Sequence, residues 1–216
     1  MNTGSQASDD FWEVLSTQRA IRHFKPDPVP RELLQRVIEG ATRAPSGSNR
    51  QPWAFVVVDD EPTCTAIADA LRQHLQQNEQ MRGYFERGSQ SEDRSERLML
   101  SGALRLAENI ARAPALVVPC LYPAGSLELQ AGSSIYPAVQ NMLLSARSLG
   151  LGTVLTTFSQ RIEPTLRQIL ELPDDAAPVA LVPIGYPDAN FGPVNRRPVE
   201  EVLHWGAWDQ EKAPRS

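Results

Sequence analysis

Apolar stripes at helical spacing alternate along the chain with short β-branched runs, which predicts helices packed around a small sheet. Residues 1–9 (MNTGSQASD) are small and polar and read as a frayed arm. An amphipathic helix opens at Phe11 and runs to Ser16, with Asp9 or Asp10 available as its cap. The stretch 25–30, Lys-Pro-Asp-Pro-Val-Pro, cannot be helical, because its prolines remove donors and clash with a preceding turn. Leu33, Leu34, Val37, Ile38 and Ala41 then form one apolar stripe, predicting a helix over Arg31–Ala44 that Pro45 and Gly47 stop.

Trp53–Val58 (WAFVVV) reads as a buried strand, and a helix runs from Thr63 to Gln77 after Glu61-Pro62. Residues 78–97 are polar and charged, contain two glycines and show no clear period. They read as a mobile excursion between the halves, either a lid over a site or a plain surface loop. Ala115–Leu121 is a second strand candidate. Ser134–Leu149 predicts a long helix whose apolar residues cover more than half its circumference, so it is a central helix or a dimer interface. Thr153–Phe158 reads as a third strand, Pro164–Leu170 as a helix and Val179–Ile184 as a fourth strand. The tail over Arg197–Trp208 extends away with a short helix or turn. With no internal repeat and no linker, the pattern is α+β: one domain over 11–208, between an N-terminal arm (1–10) and a C-terminal tail (209–216).

Composition narrows the partners more than the fold. The 216 residues are 41% hydrophobic and 22% charged, an ordinary globular balance. A formal charge of −5 argues against nucleic acid or an anionic membrane as the main partner. An anionic cofactor stays open, because a phosphate responds to a few local arginines. Cys64 and Cys120 lie far apart without metal-ligand spacing and read as small buried apolar residues. The opening residues show no apolar signal region, and no uncharged apolar run approaches the roughly 18 residues of a membrane span. The chain reads as cytoplasmic. His23, His74 and His204 sit in separate regions, so a metal site has little support, and no Ser/His/Asp or Cys/His arrangement is apparent.

Three clusters carry candidate chemistry. Gln18-Arg19-Ala20-Ile21-Arg22 places two guanidinium groups three residues apart, where they could converge on one anion or simply face solvent. The segment 44–53, Ala-Pro-Ser-Gly-Ser-Asn-Arg-Gln-Pro-Trp, concentrates backbone N–H groups, hydroxyls and side-chain amides in a turn shaped by proline and glycine. Such a turn can hydrogen-bond a planar heterocycle, though a helix end before a strand is also polar. Arg196 and Arg197, before Pro198, could close over a phosphate, since arginine suits bidentate recognition.

Taken together and in this order, the clusters resemble the nitroreductase family of flavoproteins. The resemblance spans about 11–205: Arg19, Arg22 and Phe24; the 25–30 connection; the 44–53 turn; Tyr136-Pro-Ala-Val-Gln-Asn-Met-Leu-Leu-Ser-Ala-Arg running into Leu149-Gly-Leu-Gly-Thr; Ile184-Gly-Tyr-Pro; and Arg196-Arg197-Pro198. It implies a small central mixed or antiparallel sheet flanked by helices, in an intertwined homodimer with FMN at the subunit interface. By carry-over, Gln18, Arg19 and Arg22 meet the phosphate region from one subunit, joined by Arg197 and Arg196. Pro45, Ser46, Gly47 and Asn49 come from the other subunit near the ring edge, with Gln51 behind. Leu155, Thr156 and Thr157 lie by the flavin's polar rim. Ala20 stands where many relatives carry serine, which removes one hydroxyl contact. The implied activity is ping-pong hydride transfer through flavin N5, from NADH or NADPH to a small electron-poor acceptor such as a nitroaromatic or quinone. Reductive dehalogenation, flavin fragmentation and non-catalytic flavin binding are the alternatives. The chemistry belongs to the flavin, so no side chain is assigned a catalytic role.

Overall fold

The computed structural model describes residues 7–124 and 129–208. Of the expected N-terminal arm, residues 1–6 lie outside the described residues, as does the tail 209–216. The Ser8 N–H donates to the Ser148 carbonyl at 2.9 Å, and Asp10 caps the first helix by accepting from the Glu13 N–H at 2.7 Å. That helix, α1, spans Phe11–Thr17, and α2 spans Arg31–Ala41.

The sheet consists of β1 (Trp53–Val58), β2 (Ala115–Leu121), β3 (Gly152–Thr153), β4 (Ala177–Pro178) and β5 (Val182–Gly185). Its order is β1-β2-β5-β3, with β4 also paired to β2, and every ladder is antiparallel. One parallel bridge, Ala20 to Thr153, adds residues 18–22 outside β3. The fold class is therefore α+β with a small central sheet, as the pattern predicts.

Two predicted strands are shorter than their β-branched runs suggest. Thr153–Phe158 pairs only at its start and at a Thr156–Leu181 bridge, before Phe158 opens the short helix α7 (Phe158–Arg161). Of Val179–Ile184 only Val182–Ile184 pairs with β2, as part of β5, and β4 precedes the segment. Between the two the register against β2 shifts by one residue, from Cys120 opposite Pro178 to Val117 opposite Val182, while the Val179 N–H still bonds the Pro119 carbonyl of β2 at 2.9 Å. In Val179–Ile184 burial on both faces produces the apolar run without continuous pairing, whereas in Thr153–Phe158 the buried Val154, Thr156 and Phe158 alternate with exposed Leu155 and Thr157.

Residues 78–97 depart further from expectation. After α3 (Glu61–Gln77), two helices cover most of the segment: α4 (Glu79–Ser89) and α5 (Arg94–Asn109). Asn78 caps α4 at Met81, and Asp93 caps α5 at Ser95. Phe85 and Leu100 point into the core, and Gly88 is the notch for Leu100: a β-carbon at Gly88 would stand 1.8 Å from Leu100 Cδ1. The period is weak because few apolar anchors hold α4, and its glycines have low helix propensity.

Two apolar layers flank the sheet. One includes Ile67, Leu71, Ile110 and Leu166 from α3, the 3-10 turn that follows α5, and α8 (Glu163–Ile169). The other joins Val37 of α2 to Ile135, Val139 and Met142 of α6 (Leu129–Ser148). α6 starts before the predicted helix, and only part of its circumference is covered within the chain, since Ser133, Tyr136 and Gln140 are exposed. Among the described residues no helix is long and apolar enough to cross a membrane.

Candidate functional site

Residues 18–22 leave α1 in extended conformation and lie along β3, where the Ile21 N–H donates to the Thr153 carbonyl at 2.9 Å. Strand alternation then turns Arg22 away from the buried Ile21, and Arg19 is exposed at the start of the arm. Arg22 is half-buried against α5, with its Cδ 3.4 Å from where a β-carbon of Gly102 would stand. Burial, and then the neighbouring Arg19 charge, hold the Arg22 guanidinium below its ordinary pKa. Two like charges are thus brought together, and among the described residues neither forms an ion pair. Such a pair is stabilised by an anion.

The chain's last segment runs antiparallel to this arm. The Lys25 N–H donates to the Tyr186 carbonyl, the Asp188 N–H to His23 and the Val194 N–H to Ser16. Gly192 lies beside Arg19, since a β-carbon there would stand 3.6 Å from Nη1. Arg196 and Arg197 come soon after and are exposed; one Arg196 Nη1 hydrogen bond goes to the Asn195 carbonyl at 2.8 Å. The Val194–Ser16 bond brings them to the arm's side of the molecule.

The 45–51 turn sits at the other sheet edge, leading into β1. It is a single 3-10 turn, Gly47–Asn49, with Ser48, Asn49 and Gln51 all at positive φ (53°, 52° and 51°). Left-handed conformations at three non-glycine residues store strain of the kind that clusters at ligand clamps. The N–H groups of Gly47, Asn49, Arg50 and Gln51 are consumed internally, by Ser134 Oγ, the Ser46 carbonyl, the Gly47 carbonyl and Ser46 Oγ. What the turn presents outward is therefore the side-chain amides of Asn49 and Gln51, joined to each other at 3.2 Å, rather than a row of free backbone donors. Pro45, Gly47 and Ser48 are exposed around them.

Leu155 and Thr157 are exposed beyond β3, whereas Thr156 is buried and its hydroxyl donates to the Leu181 carbonyl at 2.6 Å. Ala20 is exposed beside Thr153. The candidate residues of one chain therefore fall into two separate clusters, the arginine arm with 155–157 and the strained turn. At about 4.8 Å per strand, the four steps from β1 to the 18–22 arm separate them by roughly 19 Å.

Sequence reasoning missed Ser134, which fastens the turn to α6, and Arg147, a buried cation inside an apolar helix. A cavity of about 750 Å³ lies elsewhere, lined by Phe24, Asp59, Asp60, Glu61 and Cys64, and its carboxylates make it a poor phosphate site. Burial pushes the Cys64 and Cys120 thiols up to about 11, so neither is a nucleophile near neutral pH.

The model of the nitroreductase family matches residues 15–186. A Thermus thermophilus NADH dehydrogenase is 32% identical over 201 residues, covering 87% of this chain and 92% of that protein. The Danio rerio iodotyrosine deiodinase is 28% identical over 91% of this chain and 67% of its own length. A mutant of an FMN- and NADPH-dependent nitroreductase from sphigopyxis sp. strain HMH superposes with a TM-score of 0.73 at 26% identity, covering 91% of this chain and 99% of that one. With its arginine arm and strained amide turn on such a scaffold, the chain belongs to the nitroreductase family.

Proposed function

We propose that the protein is a cytoplasmic, FMN-dependent NAD(P)H oxidoreductase, acting as a homodimer on a small electron-poor acceptor such as a nitroaromatic or quinone. The observation that carries this reading is the half-buried Arg22 beside Arg19 with no ion-pair partner among the described residues. Bound FMN supplies the hydride-accepting and electron-delivering chemistry. The chain's own residues do the rest. Gln18, Arg19, Arg22, Arg196 and Arg197 bind the phosphate end as charge-assisted donors. Asn49 and Gln51 present amides to the edge of a planar heterocycle, and Pro45, Ser46 and Gly47 shape the turn that aims them. Ala20 and the backbone at Leu155, Thr156 and Thr157 line the remaining rim. The roughly 19 Å between the two clusters supports a two-chain site in which the turn of one copy faces the arm of the other.

A second reading, reductive dehalogenation of a small halogenated aromatic, draws on the deiodinase relatives, which match 91% of this chain. In either case, residues 78–97 of α4 and α5 are proposed as the acceptor lid. A visible spectrum of the purified protein, followed by anaerobic NADH and then NADPH, tests the reading. A flavin band that bleaches with a nicotinamide and returns with a nitroaromatic or quinone is expected. Return only with a halophenol, with halide released, favours dehalogenation. A flavin that stays oxidised with both donors overturns the nicotinamide-dependent reading.

A further inference from the structure

We propose that Arg147 is a positioning residue for phosphate recognition, its buried guanidinium clamping together the two segments that carry the four arginines. The inference rests on the flavin reading above. Arg147 lies near the end of α6 and is only 3% exposed. Its Nε donates to Thr17 Oγ1 at 2.9 Å and its Nη2 to Glu13 Oε1 at 3.1 Å. The ring of Phe191 lies against the guanidinium, with 4.2 Å between Cζ and the ring centroid.

Two partners of Arg147, Thr17 and Phe191, each lead along the chain into a segment of the site. Thr17 is the residue before Gln18, and hence before the arm that carries Arg19 and Arg22. Phe191 precedes Gly192, which lies against Arg19, and Val194, whose N–H donates to the Ser16 carbonyl at 2.9 Å. Arg196 and Arg197 come two and three residues after Val194. One cation thus ties the last turn of α1 and the returning tail to the same point on α6. A buried charge persists only with its partners in place, so the clamp fixes both segments against the core helix. Arginine suits the role because its planar fork donates in two directions while its face stacks on a ring. Arg147 acts on the phosphate arginines through Thr17 and Phe191, which makes the effect indirect.

FMN and riboflavin differ only in the phosphate, so the ratio of their affinities separates positioning from general support. In the unaltered apoprotein, FMN should bind more tightly than riboflavin. Arg147→Met removes the charge and the donors while keeping an unbranched apolar stem. It is expected to weaken FMN by about tenfold or more, the scale of one charged hydrogen bond lost, while riboflavin affinity stays within about twofold. Arg147→Lys keeps the charge without the fork and should fall between. If Arg147→Met does not fold, Thr17→Val and Phe191→Leu each cut one link and should each lower the FMN preference by roughly threefold. Equal weakening of both ligands, or an unchanged ratio in the folded variants, would reduce Arg147 to a strut and overturn the proposal. No FMN preference in the unaltered protein would instead overturn the phosphate assignment on which it rests.

Discussion

Arg22 is held half-buried beside a second arginine, a placement that costs stability unless an anion completes it. Charge-assisted hydrogen bonds contribute about 1.5–3 kcal/mol each, so losing two should weaken the anion by two orders of magnitude or more. Arg22→Ala combined with Arg197→Ala should therefore give folded protein whose FMN dissociation constant rises by at least about 100-fold, read by fluorescence titration. Its thermal midpoint without ligand should stay level or rise, because the Arg19–Arg22 repulsion is gone. Unchanged affinity would place the phosphate elsewhere. Residue identity made Arg19, Arg22, Asn49 and Gln51 visible as candidates, since their groups suit an anion or a heterocycle. The positive φ at Ser48, Asn49 and Gln51 was not visible, because non-glycine residues enter that region only when surrounding structure compels them.

At the scale of elements, the α2–α6 seam shows how close packing holds the strained turn. A β-carbon at Gly40 would stand 1.8 Å from Ser145 Oγ and 2.7 Å from its Cβ, so the helices meet at a glycine. Gly40→Ala gains up to about 1 kcal/mol in helix propensity, yet overpacking costs about 1–3 kcal/mol. The expected net result is a lower urea midpoint, with the loss recovered in the Gly40→Ala, Ser145→Gly double variant. A stabilised single variant would show that the seam can open without penalty. α2 was legible because Leu34, Val37 and Ala41 repeat on one face and are all buried. α4 was not, since Phe85 and the notch at Gly88 anchor it against residues of α5 rather than through a stripe of its own.

For the whole molecule, the most exposed large apolar side chains among the described residues lie near the chain's two ends, although Tyr84 and Leu98 are also more than half exposed. Phe11 and Trp12 on α1, and Val199, Val202, Trp205 and Trp208 in the tail, are all more than half exposed. Isolated exposed apolar residues are ordinary, but aromatic groups in this number suit an interface, and two-chain sites of this kind need a large one. Sedimentation velocity should give twice the mass of one chain. Ending the chain after Pro198 should shift it toward monomer and lower FMN affinity at the same time. A truncated protein that stays dimeric with full affinity would exclude the tail from the interface.

From its order of apolar runs alone, the sequence determined an α+β chain with a small sheet, because a stripe of period 3.6 and a β-branched run each bury one kind of face. It also determined which side chains could meet a phosphate and a heterocycle, because those capacities belong to guanidinium and amide groups themselves. Only the tertiary structure decided that the two sets stand at opposite sheet edges, that the turn spends its backbone donors internally, and that Arg147 joins the arm to the tail. Those outcomes depend on strand order and on contacts far apart in the chain, 87 residues from Gly47 to Ser134 and 130 from Thr17 to Arg147. Local spacing carries no record of such contacts, because each is set by which surfaces are left to pack once the helices and strands have formed.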